Sequence, residues 1–244
     1  PEFEPPIDGN LTSHNYDFLD TVGDKDAILE VFGLLSRRYP EAIIEIVCSS
    51  NSRINLKQNI VIIGGPGGPD YVRPDGTTID ATGNIVCRRI SERIKSRISY
   101  TSDCEAMILD NKKYEARYDE QGIMTEDYGY FAALRNPYDE KFRAVLLHGI
   151  HTLGVVGAAR IFSDETNAEV NYKFLIDDFF AGAIDDISFE CTFNVDINYG
   201  TVLSPPTIQL QNMRKIGKET SSSSLLIVNP GPADPELAEL IADI

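Results

Sequence analysis

The sequence predicts a three-layer α/β fold with a mainly parallel sheet, a β-hairpin insertion and antiparallel additions at its edge. Three observations lead to this class. Apolar runs alternate with helical patterns, glycine-bearing turns follow two of these runs, and one later segment alternates strictly between apolar and polar residues. Strands that are covered on both faces give continuous apolar runs, and helices between them favour parallel pairing.

The length of 244 residues suits one large domain with extensions at both ends. We expect a linker or arm over residues 1–14, a single α/β domain over 15–217, and a linker followed by a docking tail over 218–244. The tail carries more apolar residues than a free tail usually does. We therefore expect it to dock on its own domain or on a second subunit.

Charge and composition exclude several classes of function. The formal net charge is −16, with 38 acidic and 22 basic residues, which disfavours binding to nucleic acids and to anionic membranes. No apolar stretch approaches the roughly 18 residues that a membrane helix needs. The four cysteines are widely spaced, as is typical of reduced thiols. We expect a cytoplasmic protein.

The first half of the domain is predicted to contain three strands and a helix. Residues 16–22 are predicted as a short strand, and apolar spacing over 27–35 predicts a helix that ends before Pro40. Two apolar runs follow, at residues 42–47 and 59–63. Both are predicted to be buried strands.

The second half is predicted to add a helix, a hairpin and antiparallel strands. A helix over 83–100 carries one apolar and one basic face, and strands near 113–118 and 129–134 flank a turn at 119–122. The alternation over 188–197 predicts a half-buried antiparallel strand at or near an edge. We expect its partner strand at 208–213.

The clearest candidate site lies at residues 143–160, where an apolar strand meets a glycine-bearing turn and the start of a helix. Free backbone N–H groups and the helix dipole make such a turn suitable for anions. Gly149, Thr152 and Gly154 are candidate ligand contacts, and His151 has a better claim to a ligand than His148, which suits a core histidine. Small residues here also fit tight packing of the helix on the sheet, and both interpretations can hold.

A second glycine-rich loop follows the apolar run at 59–63. Parallel strands place their carboxyl ends at one edge, so we expect both loops to border one pocket. A plain tight turn, and for Ser49 a polar loop, are the alternatives. The candidate ligand contacts are Gly64, Gly65, Gly67, Gly68, Tyr71 and Ser49.

Two carboxylates stand before Gly129 and are candidates for acid–base chemistry. Glu126 or Asp127 can act as a general base or bind a hydroxyl pair, and His151 can stabilise charge. Solvated carboxylates in a turn are the alternative. No metal site is predicted, no cofactor is assigned, and no nucleophile motif is present.

Several of these motifs together resemble those of bacterial Rossmann-like α/β domains within larger regulatory or defence-type proteins. They are the glycine–glycine–proline loop, Asp127-Tyr128-Gly129, Asn136-Pro137 and the run at 149–159. The resemblance spans residues 15–215 and implies a nucleotide-like ligand.

Two hypotheses of function follow. The first is a cytosolic domain that binds a nucleotide-like or other anionic small molecule and, if it is an enzyme, hydrolyses a glycosidic or phosphate bond. The second is a non-enzymatic interaction module that forms a homo-oligomer through its edge strand or C-terminal tail.

Overall fold

The computed structural model describes residues 14–49, 54–67, 71–72, 78–79, 83–101, 104–162, 165–180, 188–198, 200–202 and 213–216. The helices of this part are α1 (His14–Arg38), α2 (Ile85–Arg93), α3 (Thr152–Arg160) and α4 (Glu165–Phe174), and a π-helical turn (Leu175–Phe179) continues α4. The strands are β1 (Ile60–Ile63), β2 (Tyr71–Val72), β3 (Thr78–Ile79), β4 (Ile98–Tyr100), β5 (Ala106–Leu109), β6 (Lys112–Glu115), β7 (Arg117–Tyr118), β8 (Met124–Arg135), β9 (Arg143–Gly149), β10 (Phe189–Asn198), β11 (Thr201–Val202) and β12 (Met213–Lys215).

The main sheet is mixed and mostly antiparallel. Its order is β1-β9-β8-β10-β11, with β12 beside β10 and β7 beside β8. Only β1 and β9 pair in parallel among the described strands of this sheet. The prediction of a three-layer, mainly parallel Rossmann-like fold is therefore wrong.

Both faces of the sheet are covered at β8 and β9, which explains why these two strands contain nearly continuous apolar runs. One face packs on α1, α3 and α4 through Phe131, Val145 and Val155. The other face packs on α2 and on a separate meander of β4, β5 and β6, through Tyr130, Leu146 and similar residues. An antiparallel strand buried on both faces gives the same apolar run as a parallel strand, so the run does not reveal direction.

Several predicted elements have other forms in the structure. Residues 16–22 belong to α1 rather than to a strand. Residues 42–47 form no strand, and Ile43 is 91% exposed instead of buried. The predicted helix over 83–100 ends at Arg93, and β4 follows it.

The predicted hairpin and the alternating strand are both found in the main sheet. The turn at 119–122 joins β7 to β8, but β8 continues as a long strand between β9 and β10. The alternating antiparallel strand over 188–197 is confirmed as β10, which lies near an edge of the sheet, between β8 and the short strands β11 and β12. Of its predicted partner over 208–213, only Met213 lies within the described residues.

The strand and helix at 143–160 are confirmed as β9 and α3. The apolar run at 59–63 is confirmed as β1. Among the described helices, none is long and apolar enough to cross a membrane. The proposed arm and tail lie almost entirely outside the described residues.

Candidate functional site

The parallel pair β1 and β9 brings the two predicted glycine loops together. The Gly64 N–H donates to the carbonyl of Leu147 at 2.9 Å, which continues the parallel pairing past the end of β1. Gly65 then lies beside His148, since a Cβ on Gly65 would be 3.6 Å from the Cβ of His148. Both loops therefore start from the same edge of the sheet.

The helices next to these two loops lie on opposite faces of the sheet. Val86 and Ile90 of α2 pack with Ile62 on one face. Val155 and Val156 of α3 pack with the other face. A sheet edge at which neighbouring parallel strands have helices on opposite sides is the usual position of a ligand crevice in α/β proteins.

The N-terminus of α3 is filled by a carboxylate of the chain itself. Asp127 has no exposed surface, and its carboxylate accepts the backbone N–H of Gly154 at 2.6 Å and that of Tyr128 at 2.7 Å. The His151 N–H is 3.3 Å from the same carboxylate. Backbone N–H groups at the turn over 149–154 thus bind a carboxylate, and this carboxylate belongs to Asp127 of the chain itself.

Close backbone approach explains why this turn contains glycines. A Cβ on Gly154 would lie 2.4 Å from the carbonyl oxygen of Tyr128, and one on Gly149 would lie 2.6 Å from the backbone of Gly154. Neither distance is compatible with a side chain. The two glycines therefore allow α3 to begin directly against β8 and β9.

Asn84 organises the other loop. Its side chain accepts the N–H groups of Val86 and Cys87 and thereby caps α2, while its amide donates to the carbonyl of Ile63 at 2.9 Å. The Asn84 N–H also donates to Gly65 O at 2.8 Å. This neutral cap leaves the positive end of the α2 dipole without a carboxylate in its first turn.

Tyr100 fills the space between the two loops. Its hydroxyl donates to the carbonyl of Gly149 at 3.0 Å and lies 2.6 Å from Nδ1 of His148. Because the phenol has a single proton, His148 donates from Nδ1 when the phenol donates to Gly149. Burial lowers the pKa of His148 to about 3 and raises that of Tyr100 well above its usual value.

His148 is a core histidine in this arrangement. Its ring stacks on that of Tyr130 with centroids 4.0 Å apart, and only 1% of its surface is exposed. These contacts fit the structural interpretation of this residue.

His151 lies at the outer side of the turn. Its Nε2 is 3.4 Å from the hydroxyl of Tyr118 and 4.0 Å from a carboxylate oxygen of Glu105. Burial lowers the pKa of His151 to about 4, so the ring is neutral at pH 7, and burial raises the pKa of Tyr118 to about 12. Tyr118 and Glu105 were missed in the sequence because no local pattern links them to His151.

The contacts of Glu126 hold β7, β8 and β10 together. Its Oε1 accepts the hydroxyl of Tyr128 at 3.0 Å and lies 3.3 Å from Nε of Arg117, and its Oε2 accepts the Asn194 amide. Asp127 and Glu126 are neighbours in sequence, but they point to opposite faces of β8. A role as base for either would require breaking hydrogen bonds that maintain the local structure.

Of the remaining candidate residues, Thr152 belongs to the turn at the start of α3, whereas no described contact brings Ser49 into this arrangement. Ser49 is half-buried at the end of the 42–48 segment, and Thr152 is buried in the first turn of α3. Gly68 lies outside the described residues, and only the backbone of Tyr71 is described. Within the described part, no group of three or more side chains could hold a metal ion.

Comparison with family models, curated proteins and solved structures finds no match to this chain. The expectation of a nucleotide-like ligand came from the resemblance to Rossmann-like domains. The mixed sheet removes that basis, and nothing in the described residues supports nucleotide binding. The prediction of a nucleotide-binding Rossmann-like domain is therefore wrong.

Proposed function

We propose that this chain binds a small anionic molecule at the carboxyl ends of β1 and β9. One observation carries the proposal: these strands are parallel neighbours, and the helices α2 and α3 beside them cover opposite faces of the sheet. Ligands of α/β proteins bind in the crevice outside such strand ends. The loop at 64–67 is the part of this edge where we place the anion.

Electrostatics favour the α2 side of the crevice over the α3 side. Asp127 already neutralises the N-terminus of α3, so a second anion there would be repelled. The N-terminus of α2 has a neutral cap, and Arg88 places its guanidinium at the loop by donating from Nε to Pro66 O at 3.0 Å. Because Asp127 is negative and Arg88 is positive, an anionic ligand would direct its charged group towards α2.

Contact with a ligand is the role we propose for His151. A ring with a pKa of about 4 is a weak base at pH 7, but its neutral nitrogen accepts or donates hydrogen bonds readily. Tyr118 and Glu105 would orient that ring. If a reaction occurs, hydrolysis remains the proposed class, and His151, unlike Asp127, has partly exposed side chains as partners, those of Tyr118 and Glu105.

A thermal-shift titration with inorganic phosphate, pyrophosphate, ribose 5-phosphate and citrate tests this proposal. A ligand present at about 100 times its Kd stabilises the folded state by about 2.7 kcal/mol. We expect Arg88→Gln to weaken binding about tenfold, the effect of one charge-assisted hydrogen bond. The matched control is Arg89→Gln, since Arg89 is exposed on the same helix.

Two results would contradict the proposal. One is the absence of stabilisation by any of the four anions. The other is an equal loss of binding in the Arg88 and Arg89 variants, because a general loss of positive charge would then explain the effect.

A non-enzymatic interaction module is the second candidate function. It is favoured by aliphatic side chains that are exposed after α1, including Ile43, Ile46 and Val47. Under this alternative, the purified protein forms a dimer whose population rises with concentration, and none of the anions changes its stability.

A further inference from the structure

The crevice at the carboxyl ends of β1 and β9 has a second end, at His151. A Cβ on Gly65 would lie 3.4 Å from the hydroxyl of Tyr100, and this hydroxyl donates to Gly149 O at 3.0 Å. Gly149 and His151 are two residues apart, so their Cα atoms are separated by at most about 7 Å. A molecule on the order of 10 Å long therefore reaches from the loop at 64–67 to the turn that carries His151.

The turn between β4 and β5 brings an acidic side chain to this second end. Tyr100 is the last residue of β4. After it, the Thr101 N–H donates to Ala106 O at 3.0 Å and the Ala106 N–H donates to the Thr101 hydroxyl at 3.1 Å, which closes the turn. Glu105 lies within the turn, and its carboxylate is 4.0 Å from Nε2 of His151. Because the Glu105 side chain is 61% exposed, a ligand in the crevice has access to it.

The side chains at this end are negative or neutral at pH 7. Burial lowers the pKa of His151 to about 4, so the ring carries no charge. Burial and the negative charge of Asp127 raise the pKa of Tyr118 to about 12, so the phenol is also neutral. The carboxylate of Glu105 adds a second negative charge to that of Asp127. This end of the crevice therefore attracts a cation and repels an anion.

The other end of the crevice is positive. Arg88 places its guanidinium at the loop by donating from Nε to Pro66 O, and the N-terminus of α2 is capped by the neutral side chain of Asn84. A positive end at α2 and a negative end at Glu105 thus lie on either side of Tyr100. A ligand with one negative and one positive group complements both ends.

We propose that the ligand of this site is a zwitterion, with a phosphate or carboxylate group at the α2 end and a primary ammonium group at Glu105. This inference rests on the proposed anion site and makes Glu105 a residue that determines specificity. An ammonium group has three N–H donors and no acceptor. The carboxylate of Glu105, the phenol oxygen of Tyr118 and Nε2 of His151 offer three acceptors close together.

Calorimetric titration of the full chain with matched ligands tests the proposal. The probes are aminoalkyl phosphates with two, four and six carbons, each compared with the alkyl phosphate of the same length. We expect the amine to raise the affinity about fivefold at one or more of these lengths, the effect of one exposed ion pair. Glu105→Gln should remove this preference without weakening the binding of the alkyl phosphates.

The matched control is Glu140→Gln. Glu140 is an exposed carboxylate in the turn before β9, at the opposite edge of the sheet, and its replacement should leave the preference for the amine unchanged. An equal loss of preference in both variants would attribute the effect to net charge and overturn the proposal.

Two further outcomes would overturn the proposal, and they separate it from the anion site on which it rests. If the alkyl phosphates bind but the amine adds no affinity at any length, the anion site stands and the ligand is not a zwitterion. If no phosphate binds, with or without an amine, the proposed function fails together with this inference.

Discussion

Asp127 is a buried carboxylate whose described contacts include the backbone N–H groups of Gly154, Tyr128 and His151. Hydrogen bonds from N–H groups to a carboxylate are stronger than those between neutral groups, and the helix dipole adds to them. The residue therefore stabilises the turn and the helix that frame the candidate site.

Two substitutions of Asp127 should lower the free energy of unfolding by different amounts. We expect Asp127→Ala to lower the free energy of unfolding by about 3 kcal/mol, because it leaves buried N–H groups without an acceptor. Asp127→Asn keeps one acceptor oxygen and should cost less. Urea denaturation measures both, with Asp196→Ala as an exposed control. Equal losses in the buried and exposed variants would contradict this account.

His148 should make stability depend on pH. Its folded pKa of about 3 is below the ordinary value of 6.5, so the unfolded state binds a proton more readily. The contribution is fully present above pH 6.5 and is lost as the pH falls towards 3. At pH 5 the expected loss is about 2 kcal/mol relative to pH 7.

The comparison of wild type with His148→Gln isolates this contribution. Urea midpoints between pH 7 and pH 5 should fall more steeply in the wild type than in the variant. His151, with a folded pKa of about 4, adds a slope of the same sign that is common to both proteins. Parallel curves would show that His148 is not the source.

At the scale of elements, α1 and α3 each contain a glycine, and replacing the two glycines by alanine should have opposite effects on stability. A Cβ on Gly157 of α3 would lie 2.5 Å from Cγ2 of Val195, whereas one on Gly33 of α1 would meet only the end of Arg37 at 3.4 Å. We expect Gly157→Ala to destabilise by about 2 kcal/mol through overpacking. Gly33→Ala should stabilise by about 1 kcal/mol through helix propensity. Thermal unfolding of both variants checks the signs.

Local patterns predicted the elements of the candidate site better than its contacts. The strand, turn and helix at 143–160 were predictable because each has its own short-range signature. The position of Asp127 depends on the pairing of Gly129 with Gly149 across β8 and β9, which no local pattern encodes. The sequence therefore indicated free backbone N–H groups at this turn, but not that Asp127 accepts hydrogen bonds from them.

Strand direction and burial of the apolar runs were the parts that sequence patterns could not give. β8 is antiparallel to both of its neighbours but covered on both faces over most of its length, so its composition resembles that of a parallel strand. The run at 42–47 has the same β-branched character as β1, yet only β1 is paired. Pairing depends on distant parts of the chain, and a short apolar run is ambiguous by itself.

At the scale of the whole molecule, Glu190 joins three parts of the fold. This carboxylate is buried on β10 and accepts the hydroxyls of Ser96 and Tyr130, each at 2.8 Å. Its other oxygen lies 2.6 Å from Nε of Arg214 on β12. The ion pair thus attaches β12 to a network that also contains β8 and Ser96, which lies in the turn between α2 and β4.

Removal of the Arg214 charge should be costly. We expect Arg214→Met to lower the free energy of unfolding by about 3 to 5 kcal/mol, because a buried carboxylate loses its counter-charge. The double variant Arg214→Met with Glu190→Gln should recover part of the loss. A double-mutant cycle by urea denaturation measures the coupling, with Lys141→Met as an exposed control. Additive losses would exclude the coupling.

The cap that Asp127 provides also has a consequence for the order in which the chain folds. α3 contains Gly154, Val155, Val156 and Gly157, which are weak helix formers, and its cap comes from a residue 24 positions before His151. We expect β8 and β9 to pair before α3 becomes stable. Stopped-flow kinetics of Asp127→Asn should then show faster unfolding and a nearly unchanged folding rate, since the cap forms after the transition state. The nucleus of folding would lie in the central antiparallel strands, and the candidate site would be completed last.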